Sequence, residues 1–133
     1  MLQAYSTNLT LATKALITFN TVEAIGRTVT ATAGGNTIML NAPGVYFISL
    51  NASGTTTEAG TFGVQMNKNG VAEPQAQASM TTTAEGVGTV AFSTLMSVKK
   101  SCCCQNNAVT LTFEYTGGDA TDTTANVVVT KVR

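Results

Sequence analysis

Three successive cysteines, Cys102, Cys103 and Cys104, are the first residues whose type suggests chemistry. Neighbouring side chains on an extended strand point to opposite sides, so these three cannot jointly clamp one metal as spaced pairs do. Two readings stay open. In the simpler one they are small, partly buried apolar residues in a reducing compartment. In the other, copies of the chain meet and the thiols form an interchain disulfide or a shared metal site. A second group is Gly118-Asp119-Ala120-Thr121-Asp122, with two carboxylates three positions apart. Calcium takes about six to eight oxygens, so Asp119 and Asp122 are candidate ligands only if carbonyls or a neighbouring subunit complete the shell. The ordinary reading is a turn stabilised by aspartate.

Catalysis has little to work with. The chain contains no histidine, which removes the commonest general base and the commonest metal ligand together. Serine and threonine abound, but a nucleophile needs a base beside it, and no Lys/Asp grouping supplies one. The glycine pairs fall between strand-like segments, where they cannot cradle a phosphate at a helix start. The expectation is a protein that is not an enzyme and carries no cofactor.

The remaining composition narrows the partners. Charged residues are 11% of the 133-residue chain and the net charge is zero, which leaves no electrostatic footprint for nucleic acid. Nor is there a polybasic membrane surface. No apolar run approaches the roughly 20 residues that span a bilayer, so membrane insertion is not expected. The first residues, Met1-Leu2-Gln3-Ala4-Tyr5-Ser6, lack the basic start and apolar stretch of a secretion signal. One domain over residues 1–133 is the expectation from length.

These residues must be positioned by strands. Abundant threonine, with valine, glycine and serine, disfavours helix and suits sheet. The most strand-prone run is Val45-Tyr46-Phe47-Ile48, launched by the turn pair Pro43-Gly44. Alternation puts Tyr46, Ile48 and Leu50 on one face and Val45, Phe47 and Ser49 on the other. Both faces are apolar at the start of this run, so a second layer or a second copy of the chain covers the second face. Residues 4–11 read as an edge strand, 15–19 and 27–32 as short strands, and 36–41 as the return from a Gly34-Gly35 hairpin. Residues 53–60 read as a polar loop and 85–88 as a turn. Phe62, Val64 and Met66 point inward before the Asn69-Gly70 hairpin, and Pro74 confines the following run to an edge or a bulge. Residues 89–99 form a long strand, with Val90, Phe92, Met96 and Val98 against Ala91, Ser93, Leu95 and Ser97. Val109, Leu111, Phe113 and Tyr115 alternate cleanly in the next. Residues 120–124 read as a loop before a final valine-rich strand. The inventory is all-β: an antiparallel β-sandwich or jelly roll of about eight to ten strands.

Several pieces in this order resemble the jelly-roll head shared by the complement globular heads and the tumour necrosis factor superfamily. They are Gly44-Val45-Tyr46-Phe47-Ile48-Ser49 after Ile38-Met39-Leu40-Asn41, the hairpin Val64-Gln65-Met66-Asn67-Lys68-Asn69-Gly70, the strand over 109–115 and the valine-rich end. The resemblance spans about Phe19 to Val132. One departure is local: where the family often has a Gly-Asp turn before its penultimate strand, this chain has Cys102-Cys103-Cys104-Gln105-Asn106-Asn107.

The resemblance implies a homotrimer, and in bacterial and phage versions a place at the tip of a surface or virion fibre. In such a trimer Val45, Phe47 and Ser49 are expected to face the three-fold axis, because an exposed Phe47 beside Val45, in a chain so short of charge, would be a sticky patch on a monomer. The expected role is a structural or adhesive module of a virion, as a head-fibre or decoration component or fibre tip. Other virion proteins or a host-surface receptor are the expected partners. The alternative is a glycan- or small-ligand-binding module on a bacterial or spore surface, using the threonines and asparagines of 53–60. That alternative lacks the exposed loop aromatic on which a sugar ring usually stacks.

Overall fold

The computed structural model describes residues 1–99 and 108–133. Cys102, Cys103 and Cys104 lie outside the described residues. Two five-stranded antiparallel sheets pack face to face. One runs in the order β2-β1-β10-β5-β8, the other β3-β4-β9-β6-β7. The strands are β1 (Leu2–Leu11), β2 (Thr21–Ala24), β3 (Val29–Ala31), β4 (Ile38–Leu40), β5 (Gly44–Thr56), β6 (Gly60–Lys68), β7 (Val71–Thr82), β8 (Val87–Val98), β9 (Val109–Tyr115) and β10 (Ala120–Lys131). This is a jelly-roll sandwich, as the alternation of bulky residues implies. Among the described residues no helix is long and apolar enough to cross a membrane.

The core is filled by the residues whose two-fold period was plainest. Tyr46, Ile48 and Leu50 of β5, Phe62, Val64 and Met66 of β6, and Leu111, Phe113 and Tyr115 of β9 are all buried. Phe113 sits at the centre, 5.9 Å from the Phe19 ring edge-on and 6.4 Å from Phe92. The Asn69-Gly70 hairpin forms as expected, with both residues in the left-handed region (φ 51° and 83°) that such tight turns require. Pro74 lies on β7, an outer strand, where it removes no ladder hydrogen bond that another strand needs. Opposite this proline the β6–β7 register slips, and the Gln65 side-chain amide donates to the Glu73 carbonyl at 2.7 Å.

Several expectations change. Residues 4–11 are not an edge: β1 is paired on one side with β2 and on the other with β10. Its inward residues include the small Ala4 and Ser6, which hides the pattern of a strand within a sheet. Residues 15–19 are not a regular strand but cross between the sheets, touching β9 through the Leu16↔Glu114 bridge and the hairpin through Phe19↔Gly35. Leu16 is exposed and Ile17 buried, the division that opposite faces of an extended segment give. Of residues 27–32 only Val29–Ala31 is strand. The turn expected over 85–88 ends earlier, because Val87 and Gly88 already belong to β8.

Residues 53–60 are not a loop through most of their length, since β5 continues to Thr56. The inward positions here are small because the sheets come close. Gly54 and Gly88 face one another across β5 and β8 and leave a slot for Phe62. A Cβ on Gly88 would lie 2.6 Å from the Phe62 Cβ, and one on Gly54 would lie 3.0 Å from Phe62 Cε2. Thr56 reaches its buried place by donating to Thr82 Oγ1 at 2.8 Å. Residues 120–124 are also strand, with Ala120 and Thr123 buried and a bulge between Thr121 and Thr124.

Two buried tyrosines tie loops to the core. The Tyr46 hydroxyl donates to the Ala42 carbonyl at 2.6 Å, and the Tyr115 hydroxyl donates to the Gly118 carbonyl. Burial pushes the Tyr46 phenol above its ordinary value, against a smaller opposite pull from the Ala42 hydrogen bond. Burial raises Tyr115 as well, helped by the negative charge of Asp119. A raised folded-state value means the folded protein holds these protons more tightly than the unfolded chain. The associated stability is full below a pH of about 10, where the free phenol ionises, and is lost as pH climbs through the raised values. Melting followed between pH 8 and 12 is expected to show a plateau and then a decline. In Tyr46→Phe/Tyr115→Phe the decline shrinks, while stability at neutral pH drops by about 1 kcal/mol for each lost hydrogen bond. A decline of equal size in the double variant would refute the assignment.

Candidate functional site

The residues singled out for contact lie on the outer face of the β2-β1-β10-β5-β8 sheet. Tyr46, Ile48 and Leu50 point into the sandwich, and Val45, Phe47 and Ser49 point out. Phe47 keeps 38% of its surface exposed, while Val45 and Ser49 are half-buried. The antiparallel register sets their neighbours. Phe47 lies between Thr130 of β10 and Leu95 of β8, and Ser49 lies between Val128 and Ser93. Asn51 lies between Asn126 and Ala91, and Val45 faces Ser97. The Gln3 amide of β1 donates to Asn126 Oδ1 at 3.0 Å and extends the face by one strand.

Leu95 belongs to this face and was not among the expected contact residues. It is 62% exposed, more than Phe47, and stands directly beside it across the sheet. The signal was present in the sequence as a lone leucine among the outward Ala91, Ser93 and Ser97. Met1 and Val132, also exposed, add apolar surface at the end of the sheet where the chain begins and finishes.

Charge is almost missing from this sheet. Strands β1, β5 and β8 contain no Asp, Glu, Lys or Arg, and β10 has only Asp122 in its bulge and Lys131 at its end. Glu23 on the outer strand β2 is the remaining carboxylate. The centre of this face is apolar and is ringed by serine, threonine and asparagine.

The candidate calcium ligands are not brought to one groove. Asp119 lies in the turn before β10, its carbonyl accepting from the Thr57 backbone at 3.1 Å. With Glu58, Thr57, Ala59, Gly60 and Gly118 it lines a shallow groove of about 300 Å³. Asp122 is exposed on the bulge in a left-handed conformation (φ 51°) and does not line that groove. A second shallow groove, also of about 300 Å³, is neutral and lies around Thr30, Asn36, Thr37 and Met39.

No protein-family model matches the sequence, and no curated protein matches it. Solved structures do. The globular domain of a zebrafish complement 1qA protein superposes with a TM-score of 0.73 at 11% identity, covering 99% of this chain and 96% of that one. Eiger, a tumour necrosis factor of S. frugiperda, gives 0.61 at 12%, covering 98% and 92%. Vertex protein P5 of PRD1 gives 0.55 at 16%, covering 99% and 96%. At these identities the likeness is one of fold. The chain has the jelly-roll architecture found in complement globular heads, in tumour necrosis factor-like proteins and in a phage vertex protein.

Proposed function

We propose that this chain is a non-catalytic structural or adhesive module that works as a homotrimer, as a component of a phage virion at a head fibre, capsid decoration or fibre tip. One observation carries the reading: the uncharged outer face centred on Phe47 and Leu95, which a monomer would leave as a sticky patch. The three-fold axis faces Val45, Phe47 and Ser49, and the sandwich core lies behind them. The fold shared with a vertex protein supports the virion setting, and the low charge of the chain suits a surface partly hidden by its own copies. Trimeric display gives the module its use, because three weak contacts on one rigid tip act together as one strong contact. Other virion proteins or a host-surface receptor are its partners. The test is the native mass by light scattering at micromolar concentration, expected near three times 13.7 kDa. A monomer would overturn the trimer and, with it, the fibre-tip role.

The cysteines do not hold this assembly together in the proposed reading. Changing Cys102, Cys103 and Cys104 together to Ser is expected to leave native mass and melting temperature unaltered. A parent that dissociates on adding reductant or chelator alone would show the opposite.

A further inference from the structure

The chain has no net charge, yet its charges are sorted along the strands. The pairings Leu2↔Val129, Gly44↔Val98 and Lys68↔Val71 place both chain ends and the Asn69-Gly70 turn at one end of the sandwich. Arg27, Lys68, Lys99, Lys131 and Arg133 lie at that end. The opposite end is a set of loops bound to each other by backbone hydrogen bonds: Thr57 donates to the Asp119 carbonyl, Glu85 to Thr56, and Lys14 to Tyr115. Among the described residues that end carries the exposed Glu58, Glu85, Asp119 and Asp122 against one base, Lys14. Of the other acids, Glu23 and Glu73 lie toward the basic end, and Glu114, the last residue but one of β9, pairs with Gln65 inside β6. Among the described residues, one end of the sandwich is therefore mainly basic and the other mainly acidic.

We infer that the basic end is a docking surface for the acidic loop end of a second copy, so that copies stack head to tail along the strand direction. Charge complementarity argues for this occupant. The basic end is too thinly charged for a nucleic-acid footprint, and the surface that complements it, opposite in sign, is the other end of the same chain. The contact lies at right angles to the uncharged face, so stacking and the proposed trimer use different surfaces. In a trimer with strands along the axis, the three basic ends lie together and the attraction is tripled.

Salt separates the two contacts. The screening length is about 30 Å at 0.01 M salt and about 3 Å at 1 M. Sedimentation velocity at about 1 M salt reads the lateral assembly alone, and at about 0.01 M it reads stacking on top of it. The sedimenting mass is expected to at least double on going to low salt. Arg27→Glu/Lys131→Glu/Arg133→Glu leaves both ends acidic, and Glu58→Lys/Glu85→Lys leaves both ends basic. Neither variant alone is expected to show the doubling, and an equal mixture of the two is expected to restore it. All these positions are exposed, and unchanged melting confirms that the variants fold. A parent mass independent of salt overturns the inference. So does doubling in either variant alone, or a mixture that stays unassociated.

Discussion

Phe47→Asp is expected to convert the proposed trimer to single chains or aggregate, as read by light scattering against the parent. The exposed fractions of Phe47 and Leu95, 38% and 62%, together amount to about one whole side chain per copy. Burying that much apolar surface is worth roughly 1.5–3 kcal/mol, repeated in each copy around the axis. An aspartate at position 47 removes part of this gain and adds a charge that the closed assembly would have to bury without a partner, three times over. Breaking into that arrangement costs several kcal/mol per site, a large share of a domain stability of about 5–15 kcal/mol. Its cross-strand neighbours, Thr130 and Leu95, carry no charge to offset it. Leu95→Asp is expected to act in the same direction. Tyr46→Asp, one residue away but pointing inward, would instead unfold the chain, and near- and far-ultraviolet circular dichroism separates the two outcomes. A Phe47→Asp protein of unchanged native mass would remove this face from the interface.

The second large effect is on the core. Phe113→Ala is expected to cost about 3–5 kcal/mol, because the site is closed on all sides and cannot collapse. Phe113 is fully buried and contacts two other rings, Phe19 from the crossing segment and Phe92 from the facing sheet. Its loss leaves a cavity between both sheets and loosens the segment over 15–19 that the ring anchors. At a few degrees per kcal/mol for a domain of this size, melting falls by roughly 10–20 °C. Phe92→Ala, at a half-buried position, is expected to cost less. A drop of only a degree or two for Phe113→Ala would mean that the sandwich core is plastic.

Bulky residues with a strict two-fold period made much of this fold readable. Val109 to Tyr115 and Phe62 to Met66 alternate so sharply that their inward faces follow from spacing alone. The Asn69-Gly70 turn is set by local chemistry and needs no tertiary help. Where the sheets approach closely, the inward residues are small, and the pattern fades: Ala52, Gly54 and Thr56 in β5, and Ala120 and Thr123 in β10, resemble loop sequence. Position within a sheet is harder still. Nothing local in Leu2 to Leu11 says that the final strand returns beside it, because that pairing is set by the whole chain. The division of β5 into an inward and an outward face was legible. Leu95 as a neighbour of Phe47 was not, since adjacency across strands depends on register.

The place of β10 also governs how the molecule is made. This strand, the last of ten, lies between β1 and β5 near the middle of its sheet. During synthesis at about 5–20 residues per second, β1 and β5 leave the ribosome well before the strand that joins them. For those seconds their inner edges are unpaired and uncharged, open to any extended chain nearby. Closing the sheet then needs contacts between residues as far apart as Leu2 and Val129, which makes folding slow compared with a hairpin. A chain truncated before residue 120 lacks the strand that joins β1 to β5, so it is expected to aggregate and not to form a smaller folded domain.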